Sequence, residues 1–176
     1  MNLFILHKNP RVCATYYFDS HVVKIILEAI QMLFVAKKIL EPNADYEDLP
    51  LNAKGNPYKI THKNHPVSIW VRTSKGNWDW TCELLEALHD EWKYRYDHPK
   101  KKFHGAYPLY LWLKSHPPIF FLCETSRRTN FVRAMPDVYK NETSVIRSYK
   151  AYYQGPEKQK LRKWKKRSIP QWFNSK

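Results

Sequence analysis

Cysteine is sparse in this chain, and its three copies, Cys13, Cys82 and Cys123, lie far apart and are odd in number. No CxxC pair occurs, which argues against a zinc framework and against a disulfide scaffold. Long apolar runs are missing too: no segment approaches the roughly 20 residues needed to span a bilayer. The N-terminus, MNLFILHKNP, has a short apolar run before His7 and Lys8, too short for a signal peptide. A reducing cytoplasm, the host's if the chain is viral, is the expected location. Acidic residues are few, with sixteen Asp and Glu against thirty Lys and Arg and a formal net charge of +14. Such an excess attracts a polyanion, and nucleic acid is the commonest soluble one. An anionic membrane is the rival, but no long basic amphipathic helix carries a matching oily face. Internal repeats, low-complexity linkers and alternating strand patterns are also absent.

What is present suits a folded chain. Of its 176 residues 43% are hydrophobic and 15% aromatic, enough for one domain with a real core. The pattern is all-α, a compact single helical domain over 1–176 with a basic aromatic segment at 156–176. Asn2 to Leu6 reads as a short extended or buried entry. Pro10 opens a short helix through Phe18. Asp19 is placed to N-cap a long helix that runs to about Leu40 and stops before Pro42. EPNADYEDLPLNAKGNPY is a loop by its Pro, Asn, Asp and Gly content. A second helical region covers Val67 to Tyr96 with a break near Gly76, and Trp78, Cys82, Leu85, His89, Trp92 and Tyr96 recur on its core side. HPKKKFHGAYP is a loop and LYLWLKSHPP a short helix halted by prolines. A helix opening at Glu142 or Thr143 includes SYKAYYQG and ends at Gly155–Pro156. EKQKLRKWKKRSIPQWF reads as a basic helix followed by a Pro-bent aromatic end.

Within HVVKIILEAIQML, four polar residues recur at helical intervals: His21, Lys24, Glu28 and Gln31. At about 100° per residue they share a sector of roughly 80°, while Val22, Val23, Ile26, Ala29, Ile30 and Leu33 fill much of the rest. The stripe is either a narrow solvent window with Lys24 and Glu28 as an i,i+4 pair, or the wall of a reactive cleft. In a cleft, His21 and Glu28 are acid/base candidates, and a desolvated Lys24 could attack a sugar carbon as a free amine.

THKNHP places His62 and His65 around Lys63 and Asn64. Two histidines can bind a metal, but no third ligand is signalled, and no metal or other cofactor is expected. The alternatives are a loop whose Asn64 and His65 cap the next helix while Lys63 and Arg72 reach phosphate, or, equally, simple capping without function. In SYKAYYQG, Tyr149, Tyr152 and Tyr153 surround Lys150, an arrangement for base stacking or, equally, for core packing. The tail carries Lys158, Lys160, Arg162, Lys163, Lys165, Lys166 and Arg167 around Trp164, which favours nucleic-acid backbone contact over a merely solvated face.

Three patterns occur in one order: a hydrophobic N-terminus leading to a helix with HVVK, then KNHPVSIWVR, then YKAYY followed by a glycine. The chain thereby resembles the pyrimidine-dimer DNA glycosylase family, the small all-α phage-type endonuclease V enzymes and their relatives. From DSHVVKIILEAIQML through THKNHP to KWKKRSIPQWF it is most similar to short viral proteins labelled as members. The resemblance implies base excision: an N-terminal α-amine attacks deoxyribose C1′, a Schiff base forms, a helix glutamate assists, and β-elimination cuts the strand. An α-amine suits this role because its ordinary pKa is about 7.7–8.0. Two positions depart from the family pattern. Asn2 is bulky enough to retain Met1, which makes Met1 the candidate amine, and His21 stands where the family has its glutamate, with Glu28 the nearest carboxylate.

The expected function is therefore excision of a damaged or modified pyrimidine from DNA by a monomeric enzyme. Met1, His21, Lys24 and Glu28 are the catalytic candidates. Gln31, His62, Asn64, His65 and Arg72 are expected to bind substrate. Lys63, Tyr149, Lys150, Tyr152, Tyr153, Lys163, Lys165, Lys166 and Arg167 are expected to hold DNA. The alternatives are an inactive nucleic-acid or nucleotide-binding module on the same fold, or a transferase that modifies DNA bases.

Overall fold

The central element is α2, Asp19–Leu40, apolar around most of its circumference, with Val22, Ile26, Ala29, Ile30 and Leu33 fully buried. The computed structural model of the chain describes residues 1–140 and 142–174, the last without its side chain. Among them no strand occurs, and one hydrophobic core runs from Leu3 to Tyr153. No helix of the described residues is long and apolar enough to cross a membrane.

Helix α1, Pro10–Thr15, begins with proline behind Asn9, whose Oδ1 accepts from the Arg11 and Val12 N–H groups at 2.9 and 3.1 Å. It ends three residues before Phe18. The carbonyls of Thr15 and Tyr17 are taken by the buried Arg95 guanidinium at 2.9 and 2.7 Å, which turns the chain into α2. Asp19 is not the N-cap of α2. Phe18 holds that position without a side-chain bond, and Asp19 is the first helical residue. Its carboxylate accepts from Arg95 Nη1 at 3.1 Å and from the Lys165 N–H at 2.9 Å, so tertiary partners take the group that could have capped. At the other end the Glu41 N–H closes onto the Lys37 carbonyl before Pro42.

The second helical region is two helices, α3 (Pro66–Val71) and α4 (Lys75–Arg95), separated at Arg72–Ser74. Gly76 does not break the helix: it lies in the first turn of α4, where an added Cβ would come within 2.3 Å of the Arg128 backbone nitrogen. The residue makes room for a crossing segment. Ser74 starts α4, accepting from the Asn77 N–H at 3.3 Å and donating to the Arg127 carbonyl at 2.9 Å. Helix α4 packs along α2 and against α1, while α3 and α5 (Tyr107–Ser115) cover other parts of α2.

Helix α6, Val145–Gln154, follows Ser144 as N-cap, a little later than the sequence suggests, and ends at Gly155. The tail is not a basic helix. A 3-10 turn over Pro156–Leu161 leads into irregular chain and then the short α7, Gln171–Asn174. Its backbone is engaged elsewhere: the Lys163 carbonyl accepts from the Asp19 N–H at 2.9 Å, and the Lys165 N–H donates to the Asp19 carboxylate. Trp164 Nε1 adds a bond to the Tyr16 carbonyl at 3.0 Å. The tail is thus strapped over the α1–α2 junction.

Candidate active site

The chain enters the core at once. Leu3, Phe4, Ile5 and Leu6 are buried, and the Tyr17 hydroxyl accepts from the Phe4 N–H at 2.8 Å while donating to its carbonyl at 2.9 Å. That anchorage lays Met1 and Asn2 across the middle of α2. The Asn2 N–H donates to Glu28 Oε2 at 2.7 Å, and the Met1 α-amine lies 3.9 Å from the same oxygen. Lys24 Nζ approaches Oε1 at 3.5 Å from the solvent side, its side chain 69% exposed against 10% for Glu28. A nearly buried carboxylate therefore sits among an α-amine, an ammonium and a backbone N–H. Asn2 is fixed in turn by a 2.7 Å bond from its carboxamide to the Ala134 carbonyl.

Two turns back from Glu28, the buried His21 ring stacks on Phe4 at 4.7 Å, and its Nδ1 lies 2.6 Å from the Tyr153 hydroxyl. Burial, aided by the charges of Lys158 and Lys24, pushes the imidazole down to about 3. Burial also drives the Tyr153 phenol well above its ordinary range. A protonated phenol donating to Nδ1 leaves the ring proton on Nε2. His21 is thus a neutral, fixed hydrogen-bonding group near neutral pH, with little basicity.

The far wall comes from the C-terminal half. Lys158 Nζ lies 4.6 Å over the Tyr152 ring and 5.0 Å over Phe4, and burial lowers its pKa. His65 closes a third side as N-cap of α3, its Nδ1 accepting from the Val67 N–H at 3.2 Å. Burial, and then the charge of the α-amine, lower its pKa. These groups enclose a cleft of about 290 Å³ lined by Met1, Asn2, His21, Glu28, His65 and Lys158, among others.

The cleft gathers Met1, His21, Lys24, Glu28, His65 and Tyr152 from the residues singled out in the sequence. Gln31 is not in it and lines a second groove instead. His62, Lys63 and Asn64 are exposed on the loop before α3, with His62 in a left-handed conformation at φ 51°. Asn64 is not the cap; His65 alone is. Arg72 does not reach outward to phosphate: it is buried and donates to the Lys63 carbonyl at 2.7 Å, tying down the loop. Tyr149 and Tyr153 are fully buried and cannot stack on bases. Tyr149 instead accepts from the Ala134 N–H and donates to the Val132 carbonyl, which holds the segment that meets Asn2. Lys150 lies over the Trp172 ring at 5.0 Å, outside the cleft. In the tail, Lys163 and Lys165 are exposed, whereas Lys166 pairs with Asp97 and Arg167 with Glu91.

Phe4 and Lys158 belong to the cleft, though periodicity within one helix gives no sign of either. Among the described residues no group of three or more His, Cys, Asp or Glu could hold a metal ion. A larger cleft of about 480 Å³ between α4 and α5 holds Cys82, but burial raises that thiol to about 12 and leaves it a poor nucleophile. Comparison with protein-family models, with curated proteins and with solved structures returns no match for this chain.

Proposed function

We propose that the protein excises a damaged or modified pyrimidine from DNA, with the Met1 α-amine as nucleophile and Glu28 as its proton acceptor. The observation that carries this reading is the α-amine 3.9 Å from a nearly buried carboxylate in a cleft edged by lysines. The resemblance of the ordered sequence patterns to those of the pyrimidine-dimer glycosylases points the same way, and a net charge of +14 suits a DNA partner. Met1 is preferred to Lys24 as the amine because the Lys24 side chain is mostly in water, whereas Met1 is held against the nearly buried Glu28 with its side chain 4% exposed.

In the proposed reaction the amine lone pair attacks C1′ and the C1′–N bond breaks. The base leaves as an anion and takes up a proton, while the new ammonium passes a proton to Glu28. The nitrogen lone pair then opens the C1′–O4′ bond, O4′ is protonated, and C1′ becomes an imine on Met1. Loss of a C2′ proton expels the 3′-phosphate, and water hydrolyses the imine to free the enzyme. His21, fixed by Tyr153, offers its Nε2–H as a hydrogen bond to the sugar or base, and the lysines of the rim and tail hold phosphates.

The same geometry supports a second reading. Glu28 faces Met1, Lys24 and the Asn2 N–H together. If that cluster keeps the α-amine protonated, the cleft binds a nucleotide without breaking it. Single-turnover release of base from oligonucleotides carrying a thymine dimer or an oxidised pyrimidine separates the two. Glu28→Gln is expected to slow release by about 10²–10⁴-fold with binding retained. Tight binding by the wild-type protein with no base released would favour the second reading.

A further inference from the structure

Gln31 completes the polar stripe of α2, yet it faces a different compartment from Glu28. It lines a groove of about 630 Å³ with Leu27, Asn52, Pro57, Tyr58 and Thr61. The two compartments share no lining residue, but they follow one another along two stretches of chain. On α2, Lys24 and Glu28 belong to the first, and Leu27 and Gln31 to the second. Glu28 and Gln31 are one helical step apart, about 4.5 Å along the axis at 1.5 Å per residue. On the opposite wall, Thr61 in the second compartment leads through the exposed loop to His65 in the first.

Their chemistry divides cleanly. The first is walled by an α-amine, a carboxylate and two lysines, groups that suit a sugar-phosphate. The second has no carboxylate in its lining and Lys59 as its single charge. Leu27, Pro57 and the half-buried Tyr58 give it apolar surface. Among the described residues nothing hydrogen-bonds the Gln31 carboxamide, which is free to donate and accept at once. The Thr61 hydroxyl is buried and also without a partner. By contrast, the Asn52 carboxamide is engaged in its own turn, accepting from the Lys54 and Asn56 N–H groups at 2.9 and 3.2 Å, which fixes the outer wall.

We infer that this groove is a nucleobase compartment, taking the base attached to the sugar held at the amine, with Gln31 and Thr61 reading its edge. Free amide and hydroxyl groups beside apolar side chains match the alternating donors and acceptors of a neutral heterocycle. The inference rests on the proposed nucleotide reading of the neighbouring cleft, but it does not need the chemical step.

The test compares binding of oligonucleotides that differ at one central position: a tetrahydrofuran abasic analogue, thymine, uracil, thymine glycol or a cis-syn thymine dimer. Fluorescence anisotropy gives each affinity. The wild-type protein is expected to bind at least one base-carrying strand more tightly than the abasic strand. Gln31→Ala and Thr61→Val are each expected to shrink that advantage by about 3–10-fold, the worth of a hydrogen bond or so. Two variants on different walls guard against a local folding defect. An equal loss on base-carrying and abasic strands, or no base-carrying strand preferred by the wild type, would overturn the inference. Failure of the chemistry shows separately, as binding without base release, and leaves this comparison intact.

Discussion

A histidine on a helix ordinarily titrates near 6.5, but burial behind Phe4 and beside Lys158 brings His21 down to about 3. The consequence for stability has a definite sign. As pH falls through about 6.5 the unfolded chain binds a proton at this imidazole that the folded chain refuses until about 3. Stability is therefore full above the unfolded value and is lost progressively as pH drops towards 3. His89, lowered to about 4 chiefly by burial, acts in the same direction. His21→Gln keeps an acceptor for Tyr153 and is expected to flatten the fall of urea-unfolding free energy between roughly pH 6 and pH 4. An unchanged slope would mean that the ring is hydrated and ordinary. The sequence shows that His21, Lys24 and Glu28 share a face, because helical spacing encodes direction. It does not show depth or neighbours. Gln31 lies on the same stripe but opens onto another groove, and Lys158 joins the cleft from a segment 130 residues downstream of Glu28.

At the scale of elements, one buried guanidinium ties three helices together. Arg95, at the end of α4, is fully buried and bonds Glu91 at 2.8 Å, Asp19 at 3.1 Å and the carbonyls of Thr15 and Tyr17. Arg95→Met leaves the buried Glu91 with only the more exposed Arg167, and it frees two carbonyls at the α1–α2 junction. A loss of about 3–5 kcal/mol in chemical denaturation is expected, since removing one partner strands the other charge. A loss below about 1 kcal/mol would place the junction's stability elsewhere. This clamp also explains what could not be read in advance. The span of α2 is legible from its apolar residues at helical spacing and Pro42, and α6 from its stop at Gly155–Pro156. The early end of α1, the engaged Asp19 and the non-helical tail all depend on Arg95, Trp164 and Lys165 meeting across long sequence separations. The break near Gly76 is legible and falls at Arg72–Ser74, but the role of Gly76 itself is set by the Arg127–Arg128 backbone crossing α4.

For the whole molecule, the excess of positive charge is visible in composition, but its availability is not. Lys163 and Lys165 face solvent, while Lys166 and Arg167 are already paired with Asp97 and Glu91. If DNA is the partner, as proposed, its binding weakens steeply with salt, each phosphate contacted adding about 0.9 to the log–log slope. Replacing Lys163 and Lys165 together by alanine should lower that slope by about 2, and replacing Lys166 and Arg167 should lower it less, because their release from acids offsets the loss. Equal effects from the two pairs would contradict this division of the tail. The amine–carboxylate cleft is the central claim, and it has one direct test. The protein is mixed with abasic-site DNA in the presence of borohydride, which reduces an imine to a stable adduct, and the product is analysed by intact mass and peptide mapping. The expected result is a covalent adduct on the N-terminal peptide through the Met1 nitrogen, much reduced in Glu28→Gln. DNA bound without an adduct, or an adduct mapped to Lys24 or Lys158, would contradict it.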